Sequence, residues 1–147
     1  TAYEIASCLV GSEMCIRDRF TPYKNDISVR VSKVPNFLAA VENQVLSKYP
    51  DFEIVWFGHI GDGNLHINIL KPKSWELDRF KKRCEKVSES ILGVVSSFQG
   101  SISAEHGVGL LKKNQLKYTR CDSEILAMKA LKGVFDPNNI MNPGKLI

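Results

Sequence analysis

Hydrophobic positions recur along this chain with two different spacings, and the changes between them divide it into predicted elements. Alternating apolar and polar residues, or short runs rich in aromatic and β-branched residues, indicate strands. The predicted strands are residues 25–33, 52–59, 65–70 and 101–106. Apolar residues at helical spacing, bounded by proline or glycine, indicate helices. The predicted helices are residues 34–51, 74–100 and 123–137.

This order, β-α-β-β-α-β followed by a helical tail, is that of the split β-α-β or ferredoxin-like pattern. It predicts an α+β fold with an antiparallel sheet, helices on one face of that sheet, and a C-terminal helical tail. In this topology the middle strands form a hairpin, the first strand lies beside the third, and the fourth lies beside the first. The other face of the sheet is left free for a site or for another domain.

The predicted hairpin carries two of the three histidines of the chain in the sequence HIGDGNLH. Asp62-Gly63 is typical of a two-residue hairpin turn. With that turn His59 lies directly opposite His66, and opposed residues share a face with Cβ atoms about 4.5–5.5 Å apart. Asn68, two residues after His66, lies on the same face. The hairpin is therefore expected to bring two imidazoles and a carboxamide together.

Two imidazoles at that spacing suit a divalent metal ion, because neutral ring nitrogens bind zinc at about 2.0–2.1 Å. The third histidine follows Glu105 in SAEHGVG, at the end of the fourth predicted strand. Neighbouring strand residues point to opposite faces, although Gly107 allows the chain to turn. We expect Glu105 to complete the metal site with His59 and His66, leaving positions open for water or substrate. Zinc is expected first, and manganese or iron suits the same ligands.

His106, offset from the metal, is expected to face the substrate, where a free histidine is a natural general base. The alternative for the hairpin histidines is packing or hydrogen bonding at a sheet edge. A third possibility is a structural metal site that joins the hairpin to the fourth strand. Structural zinc usually has four protein ligands, and the sequence offers three candidates, so this possibility ranks last.

Composition narrows the class of protein. The 147 residues carry a formal net charge of +4, with lysine and arginine scattered among aspartate and glutamate. No basic stripe interleaved with aromatics is present, which argues against nucleic-acid binding, whereas an anionic small substrate remains compatible. No apolar run approaches the roughly 20 residues of a transmembrane helix. The four cysteines form no CxxC pair and are expected to be free, reduced thiols.

The first 19 residues differ in kind from the rest. CLVGSEMCIRDR resembles a translated sequencing-adaptor artefact found at the broken ends of predicted proteins. We therefore expect residues 1–19 to be non-native and poorly packed, and residues 20–147 to form the domain. The alternative is an ordinary amphipathic N-terminal helix.

Three motifs carry a family resemblance. GHIGDGNLHINI, EHGVG and FDPNNIMNPGK resemble the C-terminal part of FAD-linked oxidases of the vanillyl-alcohol-oxidase superfamily, in the branch of D-2-hydroxyacid dehydrogenases. That branch includes D-lactate dehydrogenase, the glycolate oxidase FAD subunit and D-2-hydroxyglutarate dehydrogenase. PYKNDISV, residues 22–29, is most similar to the D-2-hydroxyglutarate group.

The resemblance implies a role for each candidate residue. The metal ligands would be His59, His66 and Glu105. His106 would take the α-hydroxyl proton while hydride passes from the substrate to FAD. Asn68 would contact a D-2-hydroxy acid, and Lys24 would pair with a substrate carboxylate, which favours D-2-hydroxyglutarate or a similar dicarboxylate. Asn142 would approach the flavin ring.

The resemblance also implies what this chain lacks. By this resemblance, the N-terminal domain that would hold most of the FAD is expected to be missing, and the fragment alone is expected to be inactive. The expected location is the cytoplasm of a bacterium, or the mitochondrial matrix of a eukaryote. Two alternatives stay open: a D-lactate dehydrogenase or glycolate oxidase subunit, and a non-enzymatic ferredoxin-like module that binds a metal or metabolite. The residues specify neither the electron acceptor nor the oligomeric state.

Overall fold

The computed structural model describes residues 22–147, and the prediction for residues 1–19 lies outside this part of the chain. The three strands are β1 (Pro22–Ser28), β2 (Glu53–His59) and β3 (Asn64–Leu70). The three α-helices are α1 (Val34–Leu46), α2 (Leu77–Ser97) and α3 (Asp122–Phe135). Short 3₁₀ helices cover Val31–Lys33 and Lys113–Tyr118. The described chain is therefore α+β, as predicted.

The strands form one antiparallel sheet in the order β1-β3-β2. The predicted hairpin of the two middle strands and the predicted pairing of the first strand with the third are both confirmed. The first strand ends at Ser28 rather than at residue 33. Beyond it, Val29 donates its N–H to the carbonyl of Gly63 at 3.1 Å, and the chain then enters a 3₁₀ turn.

The predicted fourth strand, residues 101–106, is wrong, and the complete ferredoxin-like topology is not present within residues 22–147. Only an isolated antiparallel bridge joins Ser101 to Ser28. Side chains form hydrogen bonds with the backbone groups that would pair with a neighbouring strand. The Thr119 hydroxyl accepts the N–H of Ile102 at 3.2 Å, and Lys112 donates to the Ile102 carbonyl at 2.9 Å. The backbone N–H groups of residues 104–106 are bound by the carboxylate of Asp26.

The predicted two-residue turn in the hairpin is also wrong. Residues 60–63 form the turn, with the N–H of Gly63 directed to the carbonyl of Ile60 at 3.4 Å. As a result His59 pairs with Asn64, and His66 pairs with Phe57. The register differs from the predicted one by two residues. Because side chains alternate with a period of two, both histidines still lie on the same face.

Helices α1 and α2 cover one face of the sheet, as predicted. The core contains Ile27, Ile67 and Ile69 from the strands, each no more than 1% exposed, with Phe37 of α1 and Ile91 of α2 fully buried. These strand residues alternate with the polar residues of the opposite face, so one sheet separates the core from the candidate site. None of the helices within residues 22–147 has the length and apolar character needed to cross a membrane.

Candidate functional site

The face of the sheet opposite α1 and α2 is lined by polar side chains, here called the polar face. Their positions follow from strand register, because Lys24 pairs with Asn68 and Asp26 pairs with His66 across β1 and β3. The members of the polar face are Lys24 and Asp26 of β1, His59 of β2, and Asn64, His66 and Asn68 of β3. Buried polar groups need partners, and three members are nearly inaccessible: Asp26, Asn64 and Asn68, at 3%, 3% and 1% exposure.

The carboxylate of Asp26 joins the sheet to residues 104–107, which include the sequence EHG and are here called the EHG segment. Its Oδ2 accepts the backbone N–H groups of Ala104, Glu105 and His106 at 3.1, 3.0 and 3.0 Å. Three donors on one oxygen hold the backbone in a bend there, before Gly107 is reached. The conflict expected for neighbouring strand residues is therefore removed, because residues 104–106 are bent rather than extended, and both Glu105 and His106 approach the polar face.

This arrangement keeps Asp26 ionised. Burial by itself raises the pKa of the carboxyl, but the N–H donors of His106 and Glu105 and the nearby positive charges outweigh it. The net pKa lies below its usual value. Lys112 contributes one of these charges and donates to the carbonyl of Asp26 at 3.1 Å. Burial lowers the pKa of Lys112, and the charge of Asp26 partly opposes that shift.

Glu105 lies between the two hairpin histidines. Its Oε1 is 3.4 Å from Nδ1 of His59, and its Oε2 is 4.0 Å from Nε2 of His66. Asn64 also donates a short hydrogen bond to Oε1 of Glu105. The structure thus brings together the three side chains predicted as metal ligands. Across residues 22–147, however, no group of three or more His, Cys, Asp or Glu side chains is already arranged to hold a metal ion.

The rings of His66 and His106 are close to each other and to Asp26. His66 stacks on Phe57 with centroids 4.9 Å apart, and its Nδ1 is 3.7 Å from Oδ1 of Asp26. The His106 ring lies 5.7 Å from the His66 ring, with Nδ1 3.7 Å from Oδ2 of Asp26. The His66 side chain is 15% exposed and the His106 side chain is 62% exposed. His106 is therefore the more accessible of the two imidazoles.

Asn68 and Lys24 lie side by side at the other end of the polar face. Both side-chain amide atoms of Asn68 are buried and lack a hydrogen-bond partner within the described structure. Such a group costs free energy unless something binds it. The cross-strand neighbour Lys24 is exposed and adds a cationic group beside this amide.

Asn142 lies in an exposed C-terminal turn with a left-handed φ of 48°. This turn is tied to the glycine-rich loop that follows the EHG segment. Leu146 donates its N–H to the carbonyl of Gly109 at 3.3 Å, and Lys113 donates to the carbonyl of Gly144 at 3.3 Å. The C-terminal tail therefore returns beside residues 107–113, on which the site borders.

Three site residues were missed in the sequence. Asp26 and Asn64 carried a usable signal, because they alternate with Lys24 and His66 along strands β1 and β3. Lys112 carried none, since it belongs to a polar turn in the sequence and becomes half-buried only through contacts with Asp26 and Ile102. The predicted free thiols are confirmed for the two cysteines within residues 22–147, Cys84 and Cys121.

The chain is similar along most of its length to a family of FAD-linked oxidases and to individual dehydrogenases and oxidases. The profile described as FAD linked oxidases, C-terminal domain, matches residues 4–146. A D-2-hydroxyglutarate dehydrogenase of Stutzerimonas stutzeri is 59% identical over 127 residues, which are 86% of this chain and 27% of the relative. A protein of the same name from Xanthomonas citri is 52% identical over 128 residues, 87% of this chain and 27% of the relative.

Among the more distant relatives, some carry other names. The glycolate oxidase subunit GlcD of Bacillus subtilis is 39% identical over 129 residues, 86% of this chain and 26% of the relative. Several eukaryotic relatives are named as mitochondrial. This chain spans roughly a quarter of the length of the curated relatives it matches.

Proposed function

Because the chain belongs to the FAD-linked oxidase family, as its C-terminal domain, we propose that it supplies the substrate-binding part of an FAD-dependent dehydrogenase. The reaction is oxidation of a D-2-hydroxy acid, D-2-hydroxyglutarate or a similar dicarboxylate, to the 2-oxo acid. The observation that carries this proposal is the clustering of all three histidines, with His66 and His106 beside the buried carboxylate of Asp26 and with His59 and His66 beside Glu105. Ionisable groups gathered in this way are typical of a catalytic site.

His106 acts as the general base. Its ring is the most accessible imidazole beside Asp26, whose negative charge stabilises the imidazolium formed when the ring accepts the α-hydroxyl proton. With Nδ1 directed to Asp26 at 3.7 Å, the other ring nitrogen remains for the substrate. FAD bound by the rest of the enzyme would supply the acceptor for the hydride on the substrate α-carbon.

A divalent cation, zinc first and manganese or iron as alternatives, would be held by His59, His66 and Glu105. The donor set fits, because two imidazole nitrogens face the two oxygens of one carboxylate at 3.4 and 4.0 Å and three such ligands leave room for substrate. A bound cation supplies positive charge that lowers the pKa of a coordinated hydroxyl group.

We expect the full chain to bind about one zinc ion, and the double variant His59→Ala/His66→Ala to lose it. Zinc is measured by elemental analysis after dialysis at a fixed free zinc concentration. Cys121→Ala is the matched control, because it removes an exposed thiol that could bind zinc adventitiously. Unchanged zinc content in the double variant would refute the metal site.

Lys24 and Asn68 form the binding region for the substrate. The amide of Asn68 lacks a partner but is only 1% exposed, so it offers a donor and an acceptor to a hydroxy acid once the side chains that cover it move aside. The adjacent ammonium of Lys24 suits a second carboxylate as a point charge. This pair favours a dicarboxylate over lactate or glycolate.

A chimera tests the substrate class. In it, the aligned 127 residues of this chain replace the matching part of the Stutzerimonas stutzeri relative. We expect the chimera to oxidise D-2-hydroxyglutarate and D-malate with higher kcat/KM than D-lactate or glycolate. Lys24→Ala should lower kcat/KM for the dicarboxylates by about 10–100-fold, the loss of one charge-assisted contact of about 1.5–3 kcal/mol, and change D-lactate turnover little.

The control for this experiment is Lys81→Ala, which removes an exposed lysine from α2, on the opposite side of the sheet. It should leave the substrate preference unchanged. Equal losses for dicarboxylates and monocarboxylates in Lys24→Ala would contradict the assignment of Lys24 and favour the lactate or glycolate alternative.

The exposed apolar surface supports a role within a larger enzyme. Helix α3 has no buried residue. Its Leu126, Val134 and Phe135 are 69%, 74% and 77% exposed, and Ile140 of the following turn is 78% exposed. Apolar surface of this extent is typical of an interface. The occupant we propose is the flavin-binding part expected for a member of the FAD-linked oxidase family.

A further inference from the structure

We infer that Asp26 is a positioning residue that selects which nitrogen of His66 carries the proton and fixes the backbone of the EHG segment. By this assignment, Nε2 of His66 presents a lone pair toward Glu105. The inference rests on the proposed function for its purpose, but the geometry behind it is independent of any bound group.

The two carboxylate oxygens of Asp26 differ in their hydrogen-bond partners. Oδ2 accepts three backbone N–H groups and so has its hydrogen-bonding capacity filled. Oδ1 is buried and has no hydrogen-bond partner among the described residues. An ionised carboxylate is only an acceptor, so Oδ1 requires a donor. The imidazole Nδ1 of His66 lies 3.7 Å away, slightly beyond hydrogen-bonding distance.

The ring of His66 is held in this direction from its other side. It stacks on Phe57, and its side chain is only 15% exposed. A ring fixed with Nδ1 toward a carboxylate carries its proton on Nδ1, because a bare nitrogen would face a negative charge. The remaining nitrogen, Nε2, then has a free lone pair 4.0 Å from Oε2 of Glu105. Partners of this kind set the tautomer and basicity of ligating histidines.

The same carboxylate also places the other two groups of the site. The N–H bonds from Glu105 and His106 to Oδ2 set the bend that brings both side chains to the polar face. A carboxylate that only clamped a loop would do no more than this. Asp136 is such a case: it accepts the N–H groups of Ile140 and Met141 at 2.9 and 3.0 Å, and its cationic partner is Lys132 rather than a histidine.

The test uses Asp26→Asn in the full chain, with Asp136→Asn as the matched control. The backbone N–H groups of residues 104–106 still need an acceptor, so the carbonyl oxygen of the asparagine is expected to take the place of Oδ2. Its NH₂ group then faces Nδ1 of His66. Nδ1 must therefore accept a hydrogen bond from the NH₂ group, and the imidazole proton of His66 moves to Nε2. The variant keeps the shape of the original side chain and the backbone bonds to residues 104–106, so it is expected to remain folded.

Long-range ¹H–¹⁵N correlation spectra near pH 8.5, where imidazoles are in general neutral, report the tautomer directly. The chain has only three histidines, and His59→Ala and His106→Ala assign them. We expect the Nδ1–H tautomer for His66 in the original chain, the Nε2–H tautomer in Asp26→Asn, and no change in Asp136→Asn. Zinc affinity, measured by calorimetry, should fall about 10–100-fold in Asp26→Asn and stay unchanged in Asp136→Asn.

Two results would overturn the inference. One is an Nε2–H tautomer of His66 in the original chain, which needs no variant to observe. The other is an unchanged tautomer and zinc affinity in folded Asp26→Asn. If the original chain binds no zinc while the tautomer still switches, the metal part of the proposed function fails and the role of Asp26 stands.

Discussion

Replacing His106 by alanine is expected to lower kcat of the chimera toward D-2-hydroxyglutarate by about 10²–10⁴-fold, the usual contribution of a positioned general base. In the proposed mechanism, the accessible ring nitrogen of His106 removes the hydroxyl proton, while Asp26 stabilises the charge that develops. The backbone N–H of residue 106 still bonds to Asp26 in this variant, so the bend of the EHG segment is retained. The measurement is steady-state oxidation with a dye acceptor, alongside the flavin absorbance spectrum.

Chemical rescue separates catalysis from folding in this experiment. The His106 side chain is 62% exposed, so the space it leaves is open to solvent. Added imidazole should restore part of the lost rate in His106→Ala and leave Lys81→Ala unchanged. A kcat within threefold of the original, or a loss of rate that tracks loss of bound flavin, would contradict the role of His106.

Replacing Gly63 by alanine is expected to destabilise the chain by at least about 2 kcal/mol. Gly63 has a φ of +73°, and a Cβ atom there would lie 1.9 Å from the carbonyl oxygen of Val29. The hairpin must shift to relieve this contact. Such a shift breaks the bond from the Val29 N–H to the Gly63 carbonyl, and it moves His59 and Asn64 away from Glu105.

Gly61, in the same turn, supplies the matched control. A Cβ atom at Gly61 meets nothing within 4 Å, and its backbone is not in the left-handed region. Gly61→Ala should therefore change the free energy of unfolding by no more than about 0.5 kcal/mol. Urea unfolding followed by circular dichroism measures both variants. Equal effects at the two positions would show that the close approach of β1 to this turn does not constrain the hairpin.

The predicted site depended on the face of the sheet that each residue occupies, and the predicted faces were correct even though the predicted register was not. The hairpin register was wrong by two residues, yet His59, His66 and Asn68 still share the polar face, because any even shift preserves the face. An odd shift would have placed His59 and His66 on opposite faces of the sheet. The period of alternation therefore carried more information than the identity of the turn residues Asp62-Gly63.

The prediction of a fourth strand failed for a reason that lies outside the segment itself. SISAEH has the pattern of a short strand, but a strand forms only where its backbone groups pair with another strand. Here the carboxylate of Asp26, far away in sequence, binds the N–H groups of residues 104–106. The local hydrophobic pattern of residues 101–106 gives no information about a distant carboxylate that binds the same N–H groups.

The sequence by itself determined the α+β class, the order of the first three strands and of the three α-helices, the face of the sheet on which the histidines lie and the family of the chain. These follow from hydrophobic periodicity and from motifs, which are local properties. Only the tertiary structure decided that Glu105 lies between His59 and His66 and that Asp26 organises the EHG segment. These contacts join residues about 40 to 80 positions apart, and their geometry is set by how the buried core orients the sheet against the loop.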